Sequence, residues 1–393
     1  MSGTTITGPV GGCMLGSGVF GFAKGSDGNL WTNYTIDDGG WAWADQGGAV
    51  DRAVGVVGLG SSIFVFVTRD DGHLWLNWCS ASGSQWCDFG APANVNVVDG
   101  VGVAVVGGFV YVFVKGSDGH MWLKWWNDTT NEWQWQDQGI VGDSIVDEGV
   151  GVTVIGNFVF AFVIDAQGHL CVNWFNGFSW KWTDLGTPPG IKIAGPLGAP
   201  PTGVVGYAYV RGSDGHVWSS TFNGVTWAWT DQGVPDSAGG VSVAGPIGVA
   251  TFLGWPVLFV VGSDGNLWSN TISITGWNWS KQGGAPVAGP VGVTTYIVRH
   301  SATAWYDDLA DVGEIIAAAI VTPVAAVAAT PTGQLLAVWG AGSSIIARAK
   351  ANIGKGSSED DYPHVFVRDA DGSLKVNYWD GSAWQWTAAS TPT

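Results

Sequence analysis

Apolar and polar positions along this chain come in short period-two runs broken by turn residues, and the stretch from 101 to 136 shows the unit. Strands are predicted over Val101–Val106, Phe109–Lys115, Met121–Trp126 and Trp133–Gln136, with Asp118-Gly119 turning the second strand into the third. Asp-Gly between apolar runs is a strong hairpin signal. Both faces of the second strand are apolar, as in Val110-Tyr111-Val112-Phe113-Val114. A sheet built from such strands needs cover on both sides. The β-branched, period-two pattern excludes a helical solenoid.

The unit recurs. Gly25-Ser26-Asp27-Gly28-Asn29-Leu30-Trp31 returns as Gly116-Ser117-Asp118-Gly119-His120-Met121-Trp122, Gly212-Ser213-Asp214-Gly215-His216-Val217-Trp218 and Gly262-Ser263-Asp264-Gly265-Asn266-Leu267-Trp268. Looser copies are Asp71-Gly72-His73-Leu74-Trp75, Gln167-Gly168-His169-Leu170-Cys171 and Asp371-Gly372-Ser373-Leu374-Lys375. A Trp-x-Trp pair follows each turn (Trp41/Trp43, Trp133/Trp135, Trp180/Trp182, Trp227/Trp229, Trp277/Trp279, Trp384/Trp386), reduced to Trp86 in the second copy. Asp-Gln-Gly then closes three copies, at Asp45, Asp137 and Asp231, with variants at Asp88, Asp184 and Lys281. A four-stranded repeat of roughly 40–50 residues is the signature of a propeller blade. The expectation is an all-β fold, one domain over 1–393: a seven-bladed β-propeller of four-stranded antiparallel blades. The ring should close by packing of the first and last blades, without strand exchange. The wide interval from Gly265 to Gly372 makes 297–358 either an insertion, which we favour, or a degenerate eighth blade. Asp307 could cap a helix within it.

Composition narrows the function. Charged residues make up 12% of the chain and the net charge is −17, which disfavours nucleic acid and anionic membranes. The apolar run Ile315–Ala329 is too short for a membrane span of about 20 residues, so membrane insertion is not expected. No signal peptide is visible after Met1. The expectation is a cytoplasmic protein, or one exported by another route and acting extracellularly. Cys13, Cys79, Cys87 and Cys171 form no C-x-x-C pair; Cys79 and Cys87 flank a short loop and either pair or remain small buried hydrophobes. His73, His120, His169 and His216 share one motif position on different blades, too far apart for one metal ion. They are expected to hydrogen-bond, with no metal and no cofactor. Asp369-Ala370-Asp371-Gly372 and Asp70-Asp71-Gly72 lack the further oxygen ligands of a calcium loop.

The Gly-Ser-Asp-Gly-His-Leu-Trp turn, the Trp-x-Trp strand and the Asp-Gln-Gly connection resemble those of the Photorhabdus-type propeller lectins over residues 7–290 and 364–387. The resemblance implies seven blades and binding of fucose-like or methylated sugars between them. The residues themselves suit a sugar, whose C–H face needs an aromatic and whose hydroxyls need fixed polar groups. The expected carbohydrate-binding residues are His120, Trp122, Trp133, Asp137, Gln138, His216, Trp218, Trp227, Asp231 and Gln232, in pockets at the end carrying both turns. The competing reading makes each Trp inter-blade packing and each Asp a cap of its own turn. The expected partners are glycans of cell-surface glycoconjugates, with homo-oligomer formation left open. The recurrent carboxylates are equivalent copies, whereas a glycosidase needs an acid and a base in distinct environments. The rival functions are a structural or adhesive protein-interaction propeller and a glycoside hydrolase acting at the central channel.

Overall fold

Alternating, doubly apolar strands leave a single blade with two faces to bury, and a ring of blades buries both. The computed structural model describes residues 3–299 and 359–392, apart from 16–17, 37–39, 81–82, 128, 156–157, 176–177, 196, 201–205, 223–224, 253–254, 274–275, 284–286, 381–382 and 389–390. It is a seven-bladed β-propeller, each sheet antiparallel with its strands in chain order. Blade 1 comprises Ile6–Leu15, Gly18–Gly25, Leu30–Ile36 and Ala42–Gly47. Blades 2, 3, 4 and 6 span 54–88, 97–139, 146–186 and 243–281. Blade 5 has Gly206–Arg211, Val217–Phe222 and Trp227–Asp231, with bridges from Ile193 and Gly198 at its inner edge. Blade 7 comprises Val287–Arg299, Glu359–Asp369, Leu374–Trp379 and Trp384–Ala388.

The four strands predicted for the third repeat are Val97–Val106, Phe109–Gly116, Met121–Asn127 and Glu132–Gly139. The first starts earlier than its apolar run because a bulge carries Asp99-Gly100 into the ladder, with Gly100 at φ +59°. The described residues contain no helix. Residues 300–358 lie in sequence between the first two strands of blade 7, and the proposed Asp307-capped helix and the run Ile315–Ala329 fall outside the described residues.

Two hydrogen bonds recur at the blade seams. The carbonyl of the Asp-Gly turn glycine accepts the first N–H of the next blade's inner strand or of its approach. Val50 N–H donates to Gly28, Val97 to Gly72, Val146 to Gly119, Val243 to Gly215 and Val287 to Gly265, at 2.7–3.0 Å. In five blades the second Trp of Trp-x-Trp donates its indole N–H back to the preceding blade, Trp86 to the Gln46 carbonyl (2.7 Å), Trp182 to Gln138 (2.6 Å), Trp229 to Leu185 (2.9 Å), Trp279 to Gln232 (2.8 Å) and Trp386 to Gln282 (2.8 Å), whereas Trp135 Nε1 of blade 3 is buried without such an acceptor. Between them lie apolar layers such as Phe162, Leu170, Val172, Ala208 and Val210, all buried.

The ring closes as expected, without strand exchange: blade 1 is wholly N-terminal and blade 7 wholly from the C-terminal part. The closing seam reuses the internal bond, with Ile6 N–H donating to the Gly372 carbonyl at 2.6 Å. Gly372 has φ +80° and a Cβ there would lie 2.7 Å from Thr5 Cβ; Gly28 has φ +84° and open space. Both positions resist a side chain by about 1–2 kcal/mol of left-handed backbone strain, but only the closing turn adds a clash. Gly372→Ala should therefore lower the urea midpoint more than Gly28→Ala. Equal losses would mean the seam tolerates separation.

Candidate functional site

In every blade the Asp-Gly turn and the connection after strand four lie at one end, because strand directions alternate. Within that end the polar motif residues are bonded to each other. The turn Asp accepts the backbone N–H two residues on and the indole N–H four residues on: Asp118 takes His120 N–H (3.0 Å) and Trp122 Nε1–H (3.2 Å), and Asp214 takes His216 N–H (3.1 Å) and Trp218 Nε1–H (3.1 Å). His120 Nδ1 lies 2.9 Å from Asp137 and His216 Nδ1 lies 2.9 Å from Asp231. Those carboxylates also accept the N–H of Gly139 and Gly233 at 2.7 Å. Gln138 and Gln232 are buried, and Gln232 Nε2–H donates to Ser219 Oγ at 2.9 Å. Six of the ten residues expected to hold sugar are thus bonded within the turns, and the two glutamines are buried beneath them. In the equivalent pair of blade 2, partial burial works to raise the Asp88 pKa. The Gly90 N–H and His73 outweigh it and hold the carboxyl below its ordinary value.

The other two, Trp133 and Trp227, sit at the opposite end, at the start of strand four. Trp126 pairs with Trp133 and Trp122 with Asp137, four residues or roughly 13 Å apart along the strand at about 3.3 Å per residue. One pocket cannot gather both sets as the sequence reading supposed. The cysteine expectation is settled by register: Cys79 pairs with Ser84 and Cys87 with Leu76, so the two are not opposite, and all four thiols are free. Among the described residues no three His, Cys, Asp or Glu gather to hold a metal ion.

Where Trp227 lies, the seam opens into a cleft of about 290 Å³ lined by Phe160, Trp174 and Thr183 of blade 4 and by Phe222, Val225 and Trp227 of blade 5. Phe160 and Trp174 are cross-strand neighbours, stacked at 6.1 Å and 9°. Trp227 stands edge-on to Phe160 at 6.3 Å and Phe162 at 5.7 Å, and lies 5.2 Å from Phe222. Trp174 Nε1–H donates to Thr183 Oγ1 at 3.4 Å, leaving the threonine proton to donate outward.

The same four positions recur around the ring. The cross-strand pair is Phe20/Tyr34 in blade 1, Phe64/Trp78 in blade 2, Tyr111/Trp125 in blade 3, Tyr207/Thr221 in blade 5 and His364/Tyr378 in blade 7. The facing Trp comes from the next blade, and blade 2 offers Ser84 instead. Clefts 2/3, 3/4 and 4/5 therefore have all four positions aromatic, completed by Trp126 with Trp133 (5.8 Å) and Phe175 with Trp180 (5.3 Å). Cleft 7/1 has His364, Tyr378 and Trp41.

The middle residue of Trp-x-Trp escaped the sequence reading. Paired residues share a sheet face, so this residue points forward, beside the stacked pair. It is Gln85 opposite Trp78, Gln134 opposite Trp125, Lys181 opposite Trp174 and Gln385 opposite Tyr378. It is alanine opposite Tyr34 and Thr221, where one half of the aromatic set is missing. A long polar side chain thus accompanies the four best aromatic clefts.

No protein-family model matches the sequence. No curated protein matches it either. The fold is similar to that of solved lectins: BP39L from Burkholderia pseudomallei (TM-score 0.65, 17% identity, covering 99% of this chain and 100% of that one) and a fucose-specific lectin from Aleuria aurantia (0.50, 14%, 70% and 96%). A mutant of AofleA from Arthrobotrys oligospora aligns at 0.52 with 9% identity, covering 99% and 88%. At these identities the likeness establishes the propeller fold.

The seam between blades 2 and 3 departs from the others. Phe89 replaces the connection Gln, and buried Lys124 takes the place of the asparagine of other blades, its Nζ 4.8 Å from the Trp135 ring centroid and 5.8 Å from that of Phe89. Burial pulls its pKa down from 10.5 to about 8, against the pull of Asp88. Between those values the unfolded chain holds the proton and the native one does not, so stability rises with pH there. Unfolding by urea should show that rise in the wild type and a flatter profile in Lys124→Met. Identical slopes would place the ammonium in solvent.

Proposed function

We propose that this protein is a multivalent lectin that binds glycans in clefts between neighbouring blades at the hairpin end and performs no reaction on them. The observation that carries the reading is the cleft between blades 4 and 5. Its volume is near the lower edge of the usual small-molecule range, roughly 300–1,000 Å³, and suits one sugar ring. Trp174 offers a half-exposed aromatic surface to the C–H face of the sugar, and Thr183 and Lys181 offer donors to its hydroxyls. An aromatic platform with a few polar groups at its edge is what a partly apolar, polyhydroxylated ring requires. The recurrent carboxylates support binding over catalysis, because each is already committed to a turn N–H.

The motif resemblance to Photorhabdus-type lectins and the fold shared with a fucose-specific lectin favour 6-deoxy or methylated sugars, whose methyl group adds to the apolar face. Several weak sites on one ring would bind a glycan-bearing cell surface far more tightly than one, which fits a protein acting outside the cell.

Titration calorimetry with methyl α-L-fucoside tests this. Three or four sites per chain are expected, from three complete clefts and the His364-containing one. Trp174→Ala should weaken one site by about 0.5–1.5 kcal/mol or remove it, while Asp231→Ala, at the other end, should leave number and affinity unchanged. A loss of sites in Asp231→Ala alone would return the site to the turn end. No binding to any sugar of a glycan array would favour the protein-interaction function.

A further inference from the structure

The mouths of two neighbouring clefts carry large apolar side chains that the sugar ring itself would not reach. Val225 lies two residues before Trp227, lines the 4/5 cleft and is 54% exposed. Phe178 lies two residues before Trp180, the equivalent position of the 3/4 cleft, and is 95% exposed. The corresponding residue at the 2/3 cleft is Asn131, whose φ of +54° serves the hairpin turn. Single exposed apolar residues are ordinary. Two at one structural position, on adjacent blades and beside two of the three clefts whose four positions are all aromatic, form a pattern.

The charge around them points the same way. The turn end gathers Asp88, Asp118, Asp137, Asp184, Asp214 and Asp231 among others. At the hairpin end the charged residues among the described side chains are Glu132, Lys181 and Asp380. A group that passes the mouth of the 3/4 cleft therefore meets the apolar Phe178, and at the 4/5 cleft it meets Val225 with Lys181 as the charged described side chain beside it. For a sugar at the end of a glycan, the covalent exit is its anomeric oxygen, so the group passing the mouth is the aglycone.

We propose that the 3/4 and 4/5 clefts select glycosides with an apolar aglycone, held against Phe178 and Val225, whether the aglycone is a free aryl group or the base of a glycolipid. The inference rests on the carbohydrate reading above. The test compares methyl α-L-fucoside with p-nitrophenyl α-L-fucoside by calorimetry, with p-nitrophenol alone as a further titrant. A second arm measures binding to phosphatidylcholine vesicles that carry a fucosyl lipid and to vesicles that lack it.

The aryl glycoside should bind roughly 3- to 10-fold more tightly at two of the sites, the size of one added aromatic contact. Phe178→Ser with Val225→Ser should abolish that preference; because Val225 also lines the 4/5 cleft, Phe178→Ser alone is the variant expected to lose the preference at the 3/4 site and leave the methyl glycoside unchanged, and an unaltered melting temperature checks the fold. Binding to the fucosyl vesicles that falls in the double variant assigns a lipid aglycone, and an aryl preference without it assigns a small soluble one. Equal affinities for the two glycosides in the wild type, an undiminished preference in the double variant, or p-nitrophenol binding as tightly as its fucoside overturns the proposal. Failure of the methyl glycoside to bind the wild type removes the carbohydrate reading itself, and the proposal with it.

Discussion

The fold depends on a hydrogen bond found, among the described residues, at six of the seven seams, all but that between blades 4 and 5: the turn glycine's carbonyl accepts the first N–H of the following inner strand or its approach. It requires the chain to leave an Asp-Gly turn with the glycine carbonyl pointing sideways, out of its own sheet, and φ near +80° achieves that. The turn Asp holds the geometry by accepting the next-but-one N–H and the Trp indole, so residues that look like ligand groups also orient the turn. Because the bond between Ile6 and Gly372 is the same one, the closing seam needs no strand from the other terminus. Each blade keeps only a short outermost strand as an edge, as radial repetition allows.

The seam also determines where a site can form. The two outer tryptophans of Trp-x-Trp face back, one donating to the preceding connection and the other standing edge-on to its aromatic, as Trp180 does to Phe113 at 5.5 Å and Trp384 to Phe259 at 5.5 Å. The residue between them faces forward. One short strand therefore closes the seam behind it and furnishes the cleft ahead of it. At the turn end the seam is sealed by the glycine bond and buried amides. At the hairpin end no such backbone bond joins the blades among the described residues, and between blades 4 and 5 the aromatic side chains line an opening.

The architecture was legible because it is written in period two and repeated: blade number, strand order, the shared end of the two turns and closure without exchange all follow from spacing. The site was legible by residue type and only partly by place. Tryptophan, histidine, aspartate and glutamine recur together in the sequence, but Trp122 and Trp133 are separated by the full length of a strand, and sequence proximity concealed it. His120 with Asp137 and Trp122 with Asp118 satisfy each other within one blade, which a list of candidate ligands cannot reveal. Strand-to-strand register was needed to see that Gln134 accompanies Trp125 and that Lys181 accompanies Trp174. The cysteines likewise turned on register, since Ser84, not Cys87, faces Cys79.

The blades have diverged in a way that separates the two roles. Positions that make the seam bonds vary little: the turn glycine is present in all seven repeats, and the indole donor persists in blade 2 as Trp86 although its companion has become Ser84. Positions that line the cleft vary freely, from Phe160/Trp174 through His364/Tyr378 to Tyr207/Thr221. Losing a seam bond would leave a buried carbonyl unpaired, at about 1–3 kcal/mol, and would do so where every other blade depends on the ring staying shut. Losing a cleft aromatic at a half-exposed position removes one cleft and leaves its neighbours intact. The unevenness of the clefts is therefore what a ring of redundant sites permits, and the uniformity of the turns is what a single closed ring demands.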